Sequence, residues 1–593
     1  MKRYALPLLA LSLLVSAPPA HALPRQEPWI EVRTANFTLF SSAGEGQVRQ
    51  VGADLERLRD ALSQLSPGLV LNSPVPTYVL VFRNAAALQP YLRTFNGQPL
   101  SSAGYFLSTQ WANYVAVNGD RRGDEKGIVY HEYLHYVLRN NYTGLPLWLH
   151  EGLAEYYSTF EVGKDEARIG LAIAQHVTWL RNHPMIPLAA LFAVDERSPE
   201  YNETSRRGSF YAESWALVHY LISGNPERRR QALELLRLAQ TGTPPAKLFG
   251  EAFGGNPTVL EGELRTYLKS YTFNVTRLPL RAETNLAMEA RPLPFSEALY
   301  RLGELLASLS QGGDDHRAAA GEHFRAALAA QPNHGPALAG LGFLEELAGH
   351  RQAALALYEK AAPLAPDDFL VQYRYAALLL KDDEDLESLR KARAALAQAV
   401  RLRPDFGEGW AQLGYTYQRE DVLPAEAVRA LETAHRLLPS RIEIAYNLAL
   451  AYARSGERQK AAEMIETMLA AGAEPAMLEN AREALLNEDL RQAEELLDDQ
   501  KLAEALPILE QVRAKTTREQ RRTEIARRID EVRSALNFNR FVDDYNRAVE
   551  LANRGDVQGA IALLEPLLET TQDSFQLEQA RTLLQKLKGP RKR

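Results

Sequence analysis

Cysteine is absent from the 593 residues of this chain, which excludes disulfide bonds and a lipid anchor on a cysteine. Its stability must therefore come from the burial of apolar side chains, which make up 46% of the sequence. At about 150 residues for each domain, we expect a chain of this length to hold several domains.

Long apolar runs and a strong excess of charge are lacking as well. The apolar stretch from Ala5 to about Ala17 is shorter than the about 20 residues that a transmembrane helix needs, and no later run approaches that length. The formal net charge of -7 argues against nucleic-acid binding. We therefore expect no transmembrane segment and no nucleic-acid partner. We interpret the basic tail from Lys586 to Arg593 as a solvated chain end.

Residues 1–22 have the three parts of a secretory signal peptide. Lys2 and Arg3 form a positive start, the apolar stretch follows, and Ala20 and Ala22 flank a small-residue cleavage site. The sequence therefore predicts export, with the mature chain periplasmic or secreted.

A His-Glu-x-x-His motif carries the first chemical signal. His131 and His135 are four residues apart, so on a helix they lie on one face, where both can reach a single metal ion. Glu132 between them lies close to the same point. Zinc in a catalytic site needs three protein ligands and one open position, so a third ligand is required.

A second run, from Trp148 to Tyr156, supplies candidates for that ligand. Turn-forming residues precede it, and the two segments are predicted to form a helical hairpin. Glu151 then lies at the height of His135 and is the natural third ligand. Glu155, one turn further on, comes level with His131 and can accept the other N–H of its imidazole. Glu155 as the ligand in place of Glu151 is the alternative that the spacing leaves open.

Together the two runs resemble the gluzincin metallopeptidases, in particular the peptidase MA-like group and more distantly the aminopeptidase N family. The resemblance is specific over roughly residues 125–160. It implies a zincin-like fold, a Zn²⁺ ion on His131, His135 and Glu151, Glu132 as the general base, and a peptide or protein substrate. The gap between His135 and Glu151 is shorter than in the aminopeptidase N family.

Stabilisation of an oxyanion requires a further donor besides the metal. The amphipathic helix predicted from Phe210 to Leu221 offers Tyr211 and His219, because related families use a tyrosine or histidine from a helix downstream of the site. Both residues could equally belong to the core. His150 is expected to face away from Glu151 as a structural or pocket-rim residue.

Residues 23–276 combine strand and helix patterns, and we expect an α+β zincin-like peptidase domain. Strands are predicted at residues 29–33, 37–40 and 77–82. The alternating stretch from Trp111 to Asn118 is either an edge strand that pairs with an extended substrate or an ordinary strand of the sheet.

After a predicted Pro-rich linker at residues 277–295, prolines recur at intervals of 34, 38 and 35 residues, from Pro332 through Pro366 and Pro404 to Pro439. This period is typical of tetratricopeptide (TPR) repeats, and the segment from Trp410 to Tyr417 matches their Trp-x-x-Leu-Gly-x-x-Tyr signature. We predict an all-α TPR solenoid over residues 296–475 and divergent helical repeats with the basic tail over residues 476–593.

The sequence thus predicts an exported zinc metallopeptidase whose TPR groove recruits a substrate or protein partner. The alternative is a non-catalytic envelope scaffold, in which the repeats bind proteins and the zincin-like domain is degenerate or structural. Cleavage specificity and the choice between endo- and exopeptidase are left open.

Overall fold

The computed structural model describes residues 23–589 except for short stretches at 67, 74, 96–97, 100–103, 121–125, 143, 164–165, 196, 203, 242, 255, 271, 282–285, 311–315, 382–384, 421–423 and 572. The predicted signal peptide and the last four residues of the basic tail lie outside the described residues.

The first part of the chain mixes strands and helices, as the sequence predicts. Its strands are β1 (Trp29–Arg33), β2 (Phe37–Ser41), β3 (Thr77–Phe82), β4 (Thr94–Phe95), β5 (Gln98–Pro99), β6 (Gly104–Ser108), β7 (Asn113–Asn118), β8 (Glu161–Val162), β9 (Glu166–Ile169), β10 (Thr276–Pro279) and β11 (Glu289–Leu293). Its helices are α1 (Glu45–Leu65), α2 (Ala85–Leu88), α3 (Lys126–Asn141), α4 (Leu147–Ser158), α5 (Ala174–Asn182), α6 (Leu188–Leu191), α7 (Pro199–Asn202), α8 (Thr204–Ser223), α9 (Pro226–Gln240), α10 (Pro245–Phe253) and α11 (Pro257–Tyr267), with a 3₁₀ turn at Gln89–Tyr91.

A six-stranded mixed sheet organises this part, in the order β11-β1-β2-β3-β7-β6. Strand β3 runs parallel to both β2 and β7, whereas β6 and β11 are antiparallel to their neighbours. The stretch from Trp111 to Asn118 therefore supplies an internal strand, β7, and the edge beside it belongs to β6. Of the two alternatives for that stretch, the structure shows the ordinary strand.

Residues 277–295 contribute more than a linker. Strand β11 pairs with β1 along its whole length and forms the other edge of the main sheet. Strand β10 pairs with β9 in a smaller sheet. Pro292 is compatible with β11 because an edge strand need not donate every backbone N–H to a ladder.

The two faces of the main sheet are buried in different hydrophobic cores. Along β3, Val79 and Val81 enter one core, while Leu80 and Phe82 enter the other, because successive side chains of a strand alternate between faces. The first core is completed by apolar residues of α1, α3, α4 and α8. Burial on both faces explains why β3 is apolar almost throughout.

From Phe295 onward the described residues form helices and no strands. They are α12 (Phe295–Leu309), α13 (Arg317–Ala330), α14 (Gly335–Leu347), α15 (Arg351–Leu364), α16 (Phe369–Leu379), α17 (Leu386–Leu402), α18 (Gly407–Glu420), α19 (Pro424–Leu437), α20 (Ile442–Arg454), α21 (Arg458–Ala470), α22 (Pro475–Asp498), α23 (Leu502–Lys515), α24 (Glu519–Asn553), α25 (Val557–Thr570) and α26 (Ser574–Lys588). Consecutive helices such as α12 and α13, or α14 and α15, pack against each other across short turns. The prediction of an all-α helical repeat array is confirmed.

The second face of the sheet is covered by the first of these helices. The Trp111 ring meets the Phe343 ring of α14 edge-on, with 5.3 Å between centroids. The Arg301 guanidinium of α12 lies over the rings of Phe40 and Tyr78, at 5.0 and 5.1 Å. One surface of the first repeats therefore serves to cover the sheet of the same protein.

A buried ion pair lies in this second core. The Arg374 guanidinium of α16 donates two hydrogen bonds to the Glu304 carboxylate of α12, at 2.8 and 2.9 Å, and the two side chains are 4% and 2% exposed. Arg374 also stacks over Phe343, 4.1 Å from the ring centroid. Removal of one partner from such a pair typically costs about 3–5 kcal/mol, because it leaves the other charge buried and uncompensated.

The chain divides into two compact units at Ile444 and Ala445, and the first unit contains both the mixed sheet and the first repeats. The shared core explains why the residues before and after the predicted linker belong to one unit. In the second unit, the long helix α24 takes part in two small cores, one with α22 and α23 and one with α25 and α26. None of the described helices is long and apolar enough to cross a membrane.

Candidate metal centre

Helices α3 and α4 form the hairpin that carries the motif residues. Helix α3 ends at Asn141, and α4 begins after Pro146, whose carbonyl accepts hydrogen bonds from the N–H groups of Leu149 and His150. The inner face of α3 packs Tyr133 and Val137 into the first core. This leaves His131 and His135 on the face that meets α4.

Three side chains converge between these helices. The Nε2 atoms of His131 and His135 are 3.0 Å apart, and they lie 3.4 and 3.2 Å from Oε2 of Glu151. Tetrahedral coordination with bonds of about 2.0–2.1 Å separates ligand atoms by about 3.3 Å. The three atoms are thus spaced like three corners of a zinc tetrahedron.

The burial of Glu151 also fits a metal ion. Its side chain is 4% exposed, and Oε2 has no aligned hydrogen-bond donor among the described residues. An unpaired buried polar atom costs about 1–3 kcal/mol, and a cation held between the three ligand atoms would satisfy this oxygen. Two imidazoles and a carboxylate are a donor set that zinc uses in catalytic sites.

The electrostatics of the cluster keep the carboxylate ionised. Burial alone would raise the pKa of Glu151, but its interactions with His131 and His135 outweigh burial and hold that pKa well below its usual value. Burial lowers the pKa of His131, and the neighbouring carboxylates of Glu151 and Glu155 more than offset it, so the pKa is raised. Ionised Glu151 is the form that ligates a metal. Metal binding also requires the imidazoles of His131 and His135 to be neutral.

Glu155 lies on the other side of His131, as the spacing predicts. Its Oε1 is 3.7 Å from Nδ1 of His131, whereas Nε2 of the same ring belongs to the three-atom cluster. The structure thus brings Glu151, and not Glu155, together with the two histidines. Glu155 stands where a residue that orients His131 is required.

The two candidates for an oxyanion donor are in different places. The Tyr211 ring lies 6.5 Å from the His131 ring, and its side chain is half-buried. His219 is fully buried, with Nε2 2.8 Å from the carbonyl oxygen of Gly170 and Nδ1 2.8 Å from the hydroxyl of Tyr267. Both of its ring nitrogens are used in the core, so His219 has no donor left for a substrate.

Glu132 and His150 flank the cluster. Glu132 is half-buried, and its charge contributes to the raised pKa of His131. The His150 ring stacks on the His135 ring, with centroids 4.5 Å apart and planes 5° from parallel. Burial, together with the charge of His135, lowers the pKa of His150 to about 3. His150 is therefore a neutral ring that supports a ligand, in closer contact with the centre than the sequence predicts.

Two further residues reach the centre from helices that carry no recognisable motif. The hydroxyl of Tyr201, on α7, donates a hydrogen bond to Oε1 of Glu151 at 3.3 Å. His176, on α5, places Nε2 3.3 Å from Oε2 of Glu155. Each lies at least 20 residues beyond the motif, so only the tertiary fold identifies it.

The close approach of α4 to α8 explains why the second run has a glycine at position 152. A Cβ at this position would collide with the backbone oxygen of Ser214 and lie 2.6 Å from the side chain of Val218, both on α8. Helices α4 and α8 therefore cross in backbone contact, which a larger residue would prevent. The sequence shows this glycine directly after Glu151, but it does not identify the helix that packs against it.

Comparison with known families gives one partial match. Residues 127–244, which span α3 to α9 and include the whole cluster, match the family described as "Protein of unknown function (DUF1570)". The match covers less than half of the chain. No curated protein matches the chain.

Solved structures with similarity to the chain include helical repeat proteins. YrrB, described as a TPR protein with an unusual peptide-binding site, is 21% identical, with 31% of this chain and 90% of YrrB covered and a TM-score of 0.27. PilF of Pseudomonas aeruginosa is 20% identical, with coverages of 39% and 97% and a TM-score of 0.27. MamA of Desulfovibrio magneticus RS-1 is 21% identical, with coverages of 29% and 95% and a TM-score of 0.25.

Proposed function

We propose that this protein is a zinc-dependent peptidase of the gluzincin type that acts outside the cytoplasm on peptide or protein substrates. The observation that carries the proposal is the tetrahedral spacing of His131 Nε2, His135 Nε2 and Glu151 Oε2 in a buried position. Export is proposed from the signal peptide pattern of residues 1–22.

Each residue of the centre has a distinct role in this proposal. When bound, zinc lowers the pKa of a water molecule to about 7 and polarises the scissile carbonyl. Glu132 takes a proton from the attacking water on its carboxylate and delivers it to the leaving nitrogen of the amide. Glu155 orients His131. Tyr211 offers its hydroxyl to the negative charge that develops on the carbonyl oxygen.

The edge of the main sheet suggests how a substrate lies. Strand β6 is the last strand in the order of the main sheet and pairs with β7. Phe106 of β6 packs directly on α3, with its ring 5.7 Å from that of Tyr136. An extended peptide that adds to β6 would run beside the helix that carries His131 and His135.

The test combines metal analysis with substitution of the base. Purified full-length protein should contain zinc bound to the native chain in a one-to-one ratio, and it should hydrolyse a peptide library. Glu132→Gln should retain the zinc and lose hydrolysis by a factor of about 100 or more. Glu161→Gln, an exposed carboxylate on β8, is the matched control and should behave as wild type. Protein that binds no zinc, or full activity in Glu132→Gln, would refute the proposal.

A second candidate function is partner binding by the repeats without catalysis. It is favoured by the TPR signature in α18 and by the helical pairs that continue to Lys588. A partner retained by full-length Glu132→Gln and lost on deletion from Ala445, the boundary of the two compact units, would support it. Loss of the biological role in Glu132→Gln would instead favour the peptidase.

A further inference from the structure

The carboxylate of Glu155 has a second neighbour besides His131. Its Oε2 lies 3.3 Å from Nε2 of His176, while its Oε1 lies 3.7 Å from Nδ1 of His131. The three side chains thus form a line that starts at the metal cluster and ends on α5. All three are less than one-fifth exposed.

His176 is held in this line by the protein core. Its ring packs on Trp215, a fully buried residue of α8, with 5.8 Å between ring centroids. Nε2 of His176 is buried and makes no aligned hydrogen bond with the described residues. The Glu155 carboxylate, 3.3 Å away, is an acceptor within its reach. An N–H at this atom that points to Oε2 would leave Oε1 of Glu155 for the imidazole of His131.

A carboxylate beside a metal-ligating histidine improves the ligand only if its own orientation is set. Second-sphere partners of this kind change metal affinity by about 10- to 100-fold. Glu155 has a flexible side chain at the C-terminal part of α4, and His176 supplies a donor from a different helix. The line therefore connects the ligand on α3 to α5 through α4.

We infer that His176 is a positioning residue of the metal centre, which acts on His131 through Glu155. The inference rests on the proposed zinc site and adds a residue to it. His176 faces the carboxylate of Glu155, so we expect its effect to appear first in metal affinity and in ligand geometry.

The experiment measures the zinc dissociation constant of the full-length protein by competition with a chelator. His176→Leu should weaken zinc binding about 10-fold, and His176→Gln should restore most of the loss, because its amide N–H can take the place of Nε2–H. In the Glu155→Ala background, His176→Leu should add less than about twofold, since the route to His131 is already broken. The visible spectrum of the Co²⁺-loaded protein should change in His176→Leu and return in His176→Gln.

His183→Leu is the matched control. His183 lies directly after the end of α5, is exposed and stacks on Trp179. Its zinc affinity should equal that of wild type. Thermal unfolding of the metal-free variants shows whether a substitution disturbs the packing of α5, separately from its effect on zinc affinity. Wild-type affinity in His176→Leu would overturn the inference alone, as would a 10-fold loss that persists in the Glu155→Ala background. Wild-type protein that binds no zinc would overturn the proposed function and this inference with it.

Discussion

Glu213 is a buried carboxylic acid that makes stability depend on pH, whether or not a ligand is bound. Its carboxyl group on α8 is fully buried. Oε1 accepts a hydrogen bond from the backbone N–H of Ile186 at 2.6 Å, and Oε2 has no hydrogen-bond partner among the described residues. Burial raises the pKa of Glu213 from the usual 4.5 to about 8. At neutral pH the folded protein therefore holds this side chain in its neutral form.

The raised pKa gives stability a definite pH dependence. An acid whose pKa is higher in the folded state contributes its full stability below the unfolded pKa and loses it as the pH rises through the folded pKa. Between about pH 4.5 and 8 the folded chain keeps a proton that the unfolded chain has released, so the free energy of unfolding falls by about 1.4 kcal/mol per pH unit. Over the whole window the loss is about 5 kcal/mol.

Glu213→Gln keeps an acceptor for Ile186 and cannot ionise, so this dependence should vanish. The assay compares whole thermal unfolding profiles of the variant and wild type from about pH 5 to about pH 9, because a chain of two units need not have a single midpoint. The variant should gain on wild type as the pH rises to about 8. Glu251→Gln, an exposed carboxylate on α10, should run parallel to wild type. Parallel profiles for Glu213→Gln and wild type would refute a buried neutral acid at this position.

Two other substitutions test the centre and its support. Tyr201→Phe removes only the hydroxyl that holds Oε1 of Glu151, so zinc affinity measured by chelator competition should fall about 10-fold; unchanged affinity would show that the hydrogen bond does not orient the ligand. Gly152→Ala places a Cβ against the backbone of Ser214 and should destabilise the fold by about 3 kcal/mol or more, which thermal unfolding beside wild type would show as a transition at lower temperature. The same change at Gly46 of α1, where a Cβ meets nothing within 4 Å, should be neutral or stabilising.

The core of the candidate centre could be predicted because its determinants are local. A four-residue spacing on one helix and a short turn before the next bring His131, His135, Glu151 and Glu155 close together, although the spacing leaves open whether Glu151 or Glu155 is the ligand. Tyr201 and His176 could not be predicted in this way. Their positions depend on how α5 and α7 pack against α4 and α8, which no local pattern records.

The order of strands in the sheet was also beyond local patterns. The alternation in the stretch from Trp111 to Asn118 predicts a strand, but only the tertiary fold decides whether it lies at an edge. In the structure β6 takes the edge, where it pairs antiparallel with β7 and packs on α3. For residues 277–295, proline content predicts a linker, although an edge strand tolerates proline equally well.

One sequence signal, the continuous apolar run of β3, bears on how the two candidate functions are connected. A strand apolar on both faces requires a cover on each, and the second cover here is the first group of repeat helices. Tyr78, Tyr114 and Trp111 all face that cover, and an aromatic side chain buries about 150–250 Å². At about 25 cal/mol for each Å², each ring contributes up to about 4–6 kcal/mol. Whole domains are stable by only about 5–15 kcal/mol, so the sheet that supports α3 could not tolerate loss of the repeats. The first repeats are therefore a structural part of the unit that carries the candidate metal centre, and partner binding falls to surfaces that the sheet does not occupy.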